Sequence, residues 1–170
     1  MRKGTAMDLR IGQGIDRHPL VPGERLRLGG VEIAHDRGLS GHSDADVVLH
    51  ALCDALLGAA ALGDLGTHFS DTDPAHRGRD SREFLLEVMT KLKGMGLKLV
   101  NADLTIMADA PRLAPHVPAM RQVIAELCGV GPESISVKAT RGEGLGPEGR
   151  GECITAWAVA LLHRQEEPDG

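Results

Sequence analysis

Aromatic side chains are nearly absent from this chain, which has two Phe, one Trp and no Tyr in 170 residues. Positive charge is also short, and the formal net charge is −5 at pH 7. The two shortages together exclude a nucleic-acid partner, which calls for basic stripes and stacking rings. A disulfide framework is excluded as well. Cys53, Cys128 and Cys153 are far apart, odd in number and set in apolar runs, so they read as buried free thiols of a reducing compartment, and the expected location is cytoplasmic. No apolar run reaches the roughly 20 residues of a membrane span, and Met1 to Ala6 lacks the hydrophobic stretch of a signal peptide. Residues 1–8 read as a flexible N-terminal extension and residues 164–170 as a C-terminal tail. Between them, residues 9–163 form one domain, whose core needs no staples at 42% hydrophobic content overall.

Periodicity divides that domain into α+β elements. Leu9 to Asp16 alternates like a strand that ends near His18, where Pro19 to Gly23 interrupts it. Arg25 to Ile33 reads as a hairpin turning at Gly29-Gly30, followed by a loop from Asp36 to Gly41. Ser43, with Asp46 three residues on and an apolar series to Ala59, signals a capped helix. Gly63 to Gly78 is too rich in Gly, Asp, Pro and Thr for regular structure, and a long loop is a place to look for function. A helix capped by Asp80 or Ser81 follows, with Leu85, Val88, Met89 and Leu92 inward. Period two then predicts a strand over 97–108, with Val100, Ala102, Leu104, Ile106 and Ala108 on one face. A helix from Pro118 to Cys128 and a strand over 134–139, with Ile135, Val137 and Ala139 inward, come next. The last strand, Ile154 to Leu162, is apolar on both faces, so it needs a cover on each side. Three core helices are too few to blanket both. The expected fold is therefore a single-domain α/β sandwich: a mixed sheet, helices on one face, and the other face packed against further copies of the chain.

Asp16 and His18 stand two apart on a strand and so project to one face, with Arg17 turned away. His50 lies on a polar helix stripe with Asp46 and Asp54, apart from the core stripe, and completes a set of one carboxylate and two imidazoles suited to catalytic zinc. Either Asp46 or Asp54 could orient the His50 ring. Asp16-x-His18 by itself also fits a surface pair at a strand end. Gly41-His42-Ser43 precedes the helix, so backbone N–H groups, the Ser43 hydroxyl and the His42 ring offer a phosphate seat, although ordinary capping by Ser43 explains the same residues. The glycine-rich stretch Lys138 to Glu152 matches neither the dinucleotide nor the Walker spacing.

Taken in order, Gly14 to His18, Gly41 to Leu52, Leu62 to Gly66, Phe69 to Pro74, Ala108 to Pro111, Val137 to Thr140 and Gly149 to Glu152 resemble the 2-C-methyl-D-erythritol 2,4-cyclodiphosphate synthase family over nearly the whole chain. The resemblance implies a homotrimer and a step of the non-mevalonate isoprenoid route. In that step 4-diphosphocytidyl-2-C-methyl-D-erythritol 2-phosphate closes to the cyclic diphosphate and expels CMP, which makes the enzyme a phosphorus–oxygen lyase. By position it implies Zn2+ on Asp16, His18 and His50, and Mg2+ or Mn2+ on Glu143. His42 and Ser43 would bind the transferring phosphate, and Arg17 would also bind substrate. Asp64, Leu65, Gly66, Phe69, Ser70, Asp71, Thr72 and Asp73 would receive the erythritol part. Ala108, Asp109, Ala110, Pro111, Arg112, Leu113 and Ala114, with Thr140, Arg141, Gly142 and Glu143 of a neighbouring subunit, would hold the cytidine and α-phosphate. Arg150 and Glu152 would line an axial cavity able to take an isoprenoid diphosphate.

Three positions depart from the family pattern. Arg141-Gly142 replaces two residues of a Thr-rich triplet, so a guanidinium stands where a catalytic hydroxyl is usual, and Gly142 would give it room. Pro147 replaces the usual Phe, and Arg112-Leu113-Ala114 is a milder variant of its segment. The same ligands would also serve a zinc phosphohydrolase, and Arg141 and Pro147 would fit a trimeric binding module that has lost turnover.

Overall fold

In the computed structural model, residues 8–70 and 78–165 are described. Seven strands and five helices follow in chain order: β1 (Leu9–Pro22), β2 (Leu26–Leu28), β3 (Val31–Ile33), β4 (Arg37–Leu39), α1 (Val47–Ala59), α2 (Leu65–His68), α3 (Ser81–Gly94), β5 (Leu97–Met107), α4 (Val117–Cys128), β6 (Ile135–Thr140), α5 (Gly146–Gly149) and β7 (Cys153–Arg164). Five strands make a mixed sheet in the order β4-β1-β7-β5-β6, in which only β5 and β6 run parallel, and β2 and β3 form the separate hairpin. This is the expected α+β sandwich.

Helices α1, α3 and α4 cover one face. Even-numbered residues of β7 (Ile154, Ala156, Ala158, Ala160 and Leu162) are buried beneath them. The closest approach is at β1, where a Cβ on Gly12 would lie 2.0 Å from the carbonyl of Ala55, and one on Gly14 2.0 Å from that of Ala51. Only glycine lets α1 settle so close to the strand. The other face is left apolar: Ile11, Ile15 and Val159 are 72%, 53% and 39% exposed, a patch of the kind that marks an interface.

Where the sequence predicts a loop or a break, the structure often differs for a reason that can be named. β1 continues through Pro19 to Pro22, because Pro19 stands where the strand passes from β7 to β4. Its carbonyl accepts from Ser40 N–H at 3.0 Å, and Leu20 N–H reaches Glu152 O at 2.9 Å, so no ladder bond needs the missing donor. Within the loop expected at Asp36 to Gly41, Arg37–Leu39 is itself an edge strand. Glycines 29 and 30 do turn the hairpin, both at positive φ (60° and 77°).

Val100 is not inward. It is the extra residue of a β-bulge between Leu99 and Asn101, so the buried set is Leu97 and Leu99 before it and Ala102, Leu104, Ile106 and Ala108 after it. Ala139, near the end of edge strand β6, is exposed although Ile135 and Val137 are buried. Helix α1 begins at Val47 with Asp46, not Ser43, as its cap. The Asp46 carboxylate is buried and takes the N–H groups of Val48, Leu49, Gly29 and Gly30, thereby pinning the hairpin to the helix start. Those N–H groups are therefore not free for a phosphate. β7 runs one residue past the expected domain end, and Arg164 pairs with Asp8 at 2.9 Å.

Candidate functional site

The approach of α1 to β1 carries His50 to the stretch of β1 that bears Asp16 and His18. Asp16 Oδ2 lies 2.9 Å from His50 Nδ1 and 3.2 Å from His18 Nε2. Among the described residues this trio forms a group that could hold a metal ion, with one ligand atom from each residue and all three within 4.8 Å of one another. Burial opposes the charge on Asp16, but hydrogen bonds from His18 and His50 outweigh it and hold the carboxyl far below the usual carboxylate range. For His18, burial alone would lower the pKa, yet the Asp16 carboxylate prevails and raises it. A carboxylate wedged between two imidazoles is a donor set that calls for a cation, and one oxygen with two nitrogens suits a divalent transition metal.

The remaining contacts of His50 come from α3 and the loop before α1. Its Nε2 stands 2.8 Å from Ser81 Oγ and 3.2 Å from Ser43 Oγ. Ser81 in turn donates a short hydrogen bond to Asp44. Neither Asp46, which caps α1, nor Asp54, which accepts from Leu65 N–H at 2.7 Å, serves as the orienting carboxylate that the sequence offered. Both phenylalanines of the chain gather here. Phe84 lies 6.3 Å from the His50 ring and 4.9 Å from Phe69, with the Arg79 guanidinium 4.8 Å over its face.

A cavity of about 480 Å³ opens in front of the trio, lined by His18, Gly41, His42, Ser43, His50, Leu65, Gly66 and Phe69. His42, Ser43, Leu65, Gly66 and Phe69 are thus gathered beside the trio. Asp64 caps α2 through Thr67 and does not line this cavity. Ser70 is exposed at the end of the described segment, and Asp71, Thr72 and Asp73 fall outside the described residues.

A second cavity, of about 540 Å³, is lined by Ala108, Asp109, Ala110, Pro111, Arg112, Leu113, Ala114, Ala139, Thr140 and Arg141. The two sequence segments expected to come from neighbouring subunits therefore meet within one chain, because β5 and β6 run parallel and end together at Met107 and Thr140. The guanidinium of Arg141 lies 3.5 Å from Asp109 on the rim. Gly142 does not serve to give Arg141 room. A Cβ there would lie 2.4 Å from the backbone N of Gly149, so glycine is required to close the loop on α5.

Further expected site residues also stand apart from both cavities. Arg17 lies on the opposite face of β1, where it holds Glu148 at 2.6 Å and Thr155 Oγ1 at 2.8 Å. Arg150 is exposed and paired with Glu152 at 2.7 Å. Glu143 sits exposed at positive φ (52°) and Pro147 opens α5. Missed from the sequence were Ser81 and Asp44. Ser81 reads as an ordinary helix cap, and nothing local places either residue beside a histidine.

Comparison with known proteins agrees with the resemblance. The chain is 58% identical over 162 residues to a 2-C-methyl-D-erythritol 2,4-cyclodiphosphate synthase of Moorella thermoacetica, covering 95% of this chain and 99% of that one. A synthase of the same name from Ralstonia pickettii is 56% identical over 160 residues, with 94% and 95% covered. The solved structure of such a synthase in its CDP-bound form superposes with a TM-score of 0.83 at 40% identity, over 90% of this chain and 99% of the other. With the YgbB family model matching residues 9–163 as well, this chain belongs to the YgbB family.

Proposed function

We propose that the chain is a 2-C-methyl-D-erythritol 2,4-cyclodiphosphate synthase of the non-mevalonate isoprenoid route, acting as a CMP-releasing phosphorus–oxygen lyase. The observation that carries this reading is the Asp16–His18–His50 trio at the mouth of a cavity, in a chain 58% identical to a synthase of that name. In the reaction an oxygen of the 2-phosphate attacks the β-phosphorus. A new P–O bond forms, the bond from that phosphorus to the α–β bridging oxygen breaks, and CMP leaves with the bridging oxygen.

Asp16, His18 and His50 would hold Zn2+, and Glu143 Mg2+ or Mn2+. Bound there, the metals supply Lewis acidity that draws charge from the phosphate oxygens. His42 and Ser43 flank the trio and supply donors to the transferring phosphate. Leu65, Gly66 and Phe69 shape the wall against which the methylerythritol part would lie. The 540 Å³ cavity fits cytidine, with Arg141 and Arg112 available to the α-phosphate. The two cavities share no lining residue. A trimer built on the apolar sheet face is the arrangement that would bring one subunit's trio to another's cytidine cavity. In that trimer Arg150 and Glu152 would stand near the axis, where an isoprenoid diphosphate could bind.

The test is to supply the substrate with zinc and magnesium and follow products by phosphorus NMR. CMP and a cyclic diphosphate in equal amounts are expected. Inorganic phosphate or a ring-opened diphosphate would favour a hydrolase, and no CMP at all would refute the assignment. Within the same assay, Arg141→Ala is expected to lower turnover by roughly ten- to a thousand-fold, the loss for removing one stabilising donor, with zinc content unchanged. Activity equal to the parent would remove Arg141 from the site.

A further inference from the structure

We propose that Ser81, backed by Asp44, is the positioning residue that fixes the ring of His50 and aims its Nδ1 lone pair into the metal site. The inference rests on the reading of Asp16, His18 and His50 as metal ligands, and it concerns a residue on α3 that belongs to none of the ligand or substrate segments.

The hydrogen bonds have a direction. A carboxylate only accepts, so the Ser81 hydroxyl gives its single hydrogen to Asp44 Oδ1. Its oxygen then faces His50 Nε2 at 2.8 Å with lone pairs alone, and Nε2 must carry the hydrogen. Ser43 Oγ, 3.2 Å from the same nitrogen, shares that hydrogen as a weaker acceptor while itself receiving the Ala45 N–H at 3.2 Å. With Nε2 turned as a donor to Ser81, the ring presents Nδ1, 2.9 Å from Asp16 Oδ2, to the metal site. The choice of metal-facing nitrogen is therefore made on α3, 31 residues away in the chain.

The support behind Ser81 is firm. Asp44 Oδ2 is held by Arg27 Nη1 at 3.3 Å, and the same nitrogen reaches Asp80 Oδ2 at 3.2 Å. The Asp44 N–H bonds to Arg79 O at 3.0 Å. Ser81 is fully buried, so bulk water does not take its place if the hydroxyl is removed. Asp80 caps α3 one residue earlier and fixes where Ser81 sits.

The experiment titrates purified, metal-free protein with zinc alone against a competing chelator, with the melting temperature of the metal-free form recorded for each variant. Ser81→Ala is expected to weaken zinc binding about 10- to 100-fold, the usual loss for an outer hydrogen-bond partner of a ligating histidine, while the metal-free melting temperature stays near that of the parent. Ser81→Thr, which keeps the hydroxyl, should recover most of the affinity. Should Ser81→Ala fail to fold, Asp44→Ala asks the same question by freeing the Ser81 hydroxyl to turn, and a weaker zinc affinity is expected there too. Nitrogen NMR of the metal-free parent should find hydrogen on His50 Nε2. Parent-like zinc affinity in folded Ser81→Ala or Asp44→Ala, or a ring with hydrogen on Nδ1 alone, would overturn the inference while leaving the ligand set standing. A parent protein that takes up no zinc would overturn both.

Discussion

On the helix-covered face of the sheet, Gly12 and Gly14 admit α1 to van der Waals contact with β1, whereas on the opposite face the same strand holds out Ile11 and Ile15, both exposed among the described residues. Polar chemistry differs just as sharply. Asp16 and His18 point to the closed face and meet His50, while Arg17 between them points to the open face and meets Glu148 and Thr155. One strand thus serves two environments by alternation alone. The closed face is complete within the chain and places the metal trio. The open face exposes apolar side chains and is the one on which the proposed trimer would be built.

Mutation can break this contrast, and the closed face should give way most severely. In Gly14→Val the first added carbon alone would meet the Ala51 carbonyl at 2.0 Å and the backbone N of Ala55 at 2.7 Å. Backbone cannot yield as a side chain would, so a loss of about 3 kcal/mol or more is expected in denaturant unfolding, at or beyond the usual range for overpacking. Parent-like stability would mean that α1 does not sit so close.

Next is His50→Ala, which spares the packing but removes one ligand of three. Zinc content should fall from about one per chain to almost none, because a carboxylate and one imidazole leave the ion underfilled, with the circular dichroism spectrum retained. Metal analysis showing full occupancy would remove His50 from the ligand set.

On the open face, Ile15→Asp should leave the subunit folded and abolish its assembly. Light scattering is expected to move from a trimer to a monomer, since a buried unpaired carboxylate is costly at an apolar contact. A parent trimer that survives this change would place the interface elsewhere.

The smallest effect belongs to Glu148→Gln. Arg17 is half exposed, so the pair contributes no more than about 1 kcal/mol at pH 7 in thermal unfolding of the isolated subunit. Hydrogen bonds from Thr155 and the backbone, helped by Arg17, hold the Glu148 carboxyl below its ordinary value. A depressed carboxyl contributes stability above its unfolded pKa and loses that contribution as pH falls through the folded one. The gap between parent and Glu148→Gln should therefore close on acidification below the usual glutamate range. A gap that widens there would contradict the direction of the shift.

The sequence made the local features legible. Alternation put Asp16 and His18 on one side, helical period put His50 off the core stripe, and paired glycines marked the hairpin. What it concealed was settled by residues distant in sequence. Ser43 and Asp46 are both good caps, and the choice fell to Asp46 because two hairpin N–H groups converge on it from residues 29 and 30. Ser81 and Asp44 reach His50 only once α3 packs beside α1. The two walls of the second cavity meet because β5 and β6 lie side by side, a pairing that no local pattern announces. Strand β5 reads as one unbroken alternation until its partner β7 shows that Val100 has no place in the ladder.

That unpaired residue bears on how a chain of this kind can change its length. Leu97 and Leu99 before the bulge and Ala102, Leu104 and Ile106 after it all point to the core, so Val100 separates two stretches that would join in phase without it. An insertion or deletion inside a strand ordinarily turns every later side chain to the wrong face. Here, near the start of β5, where it pairs with β7 alone, one residue can be lost and each remaining side chain keeps its side.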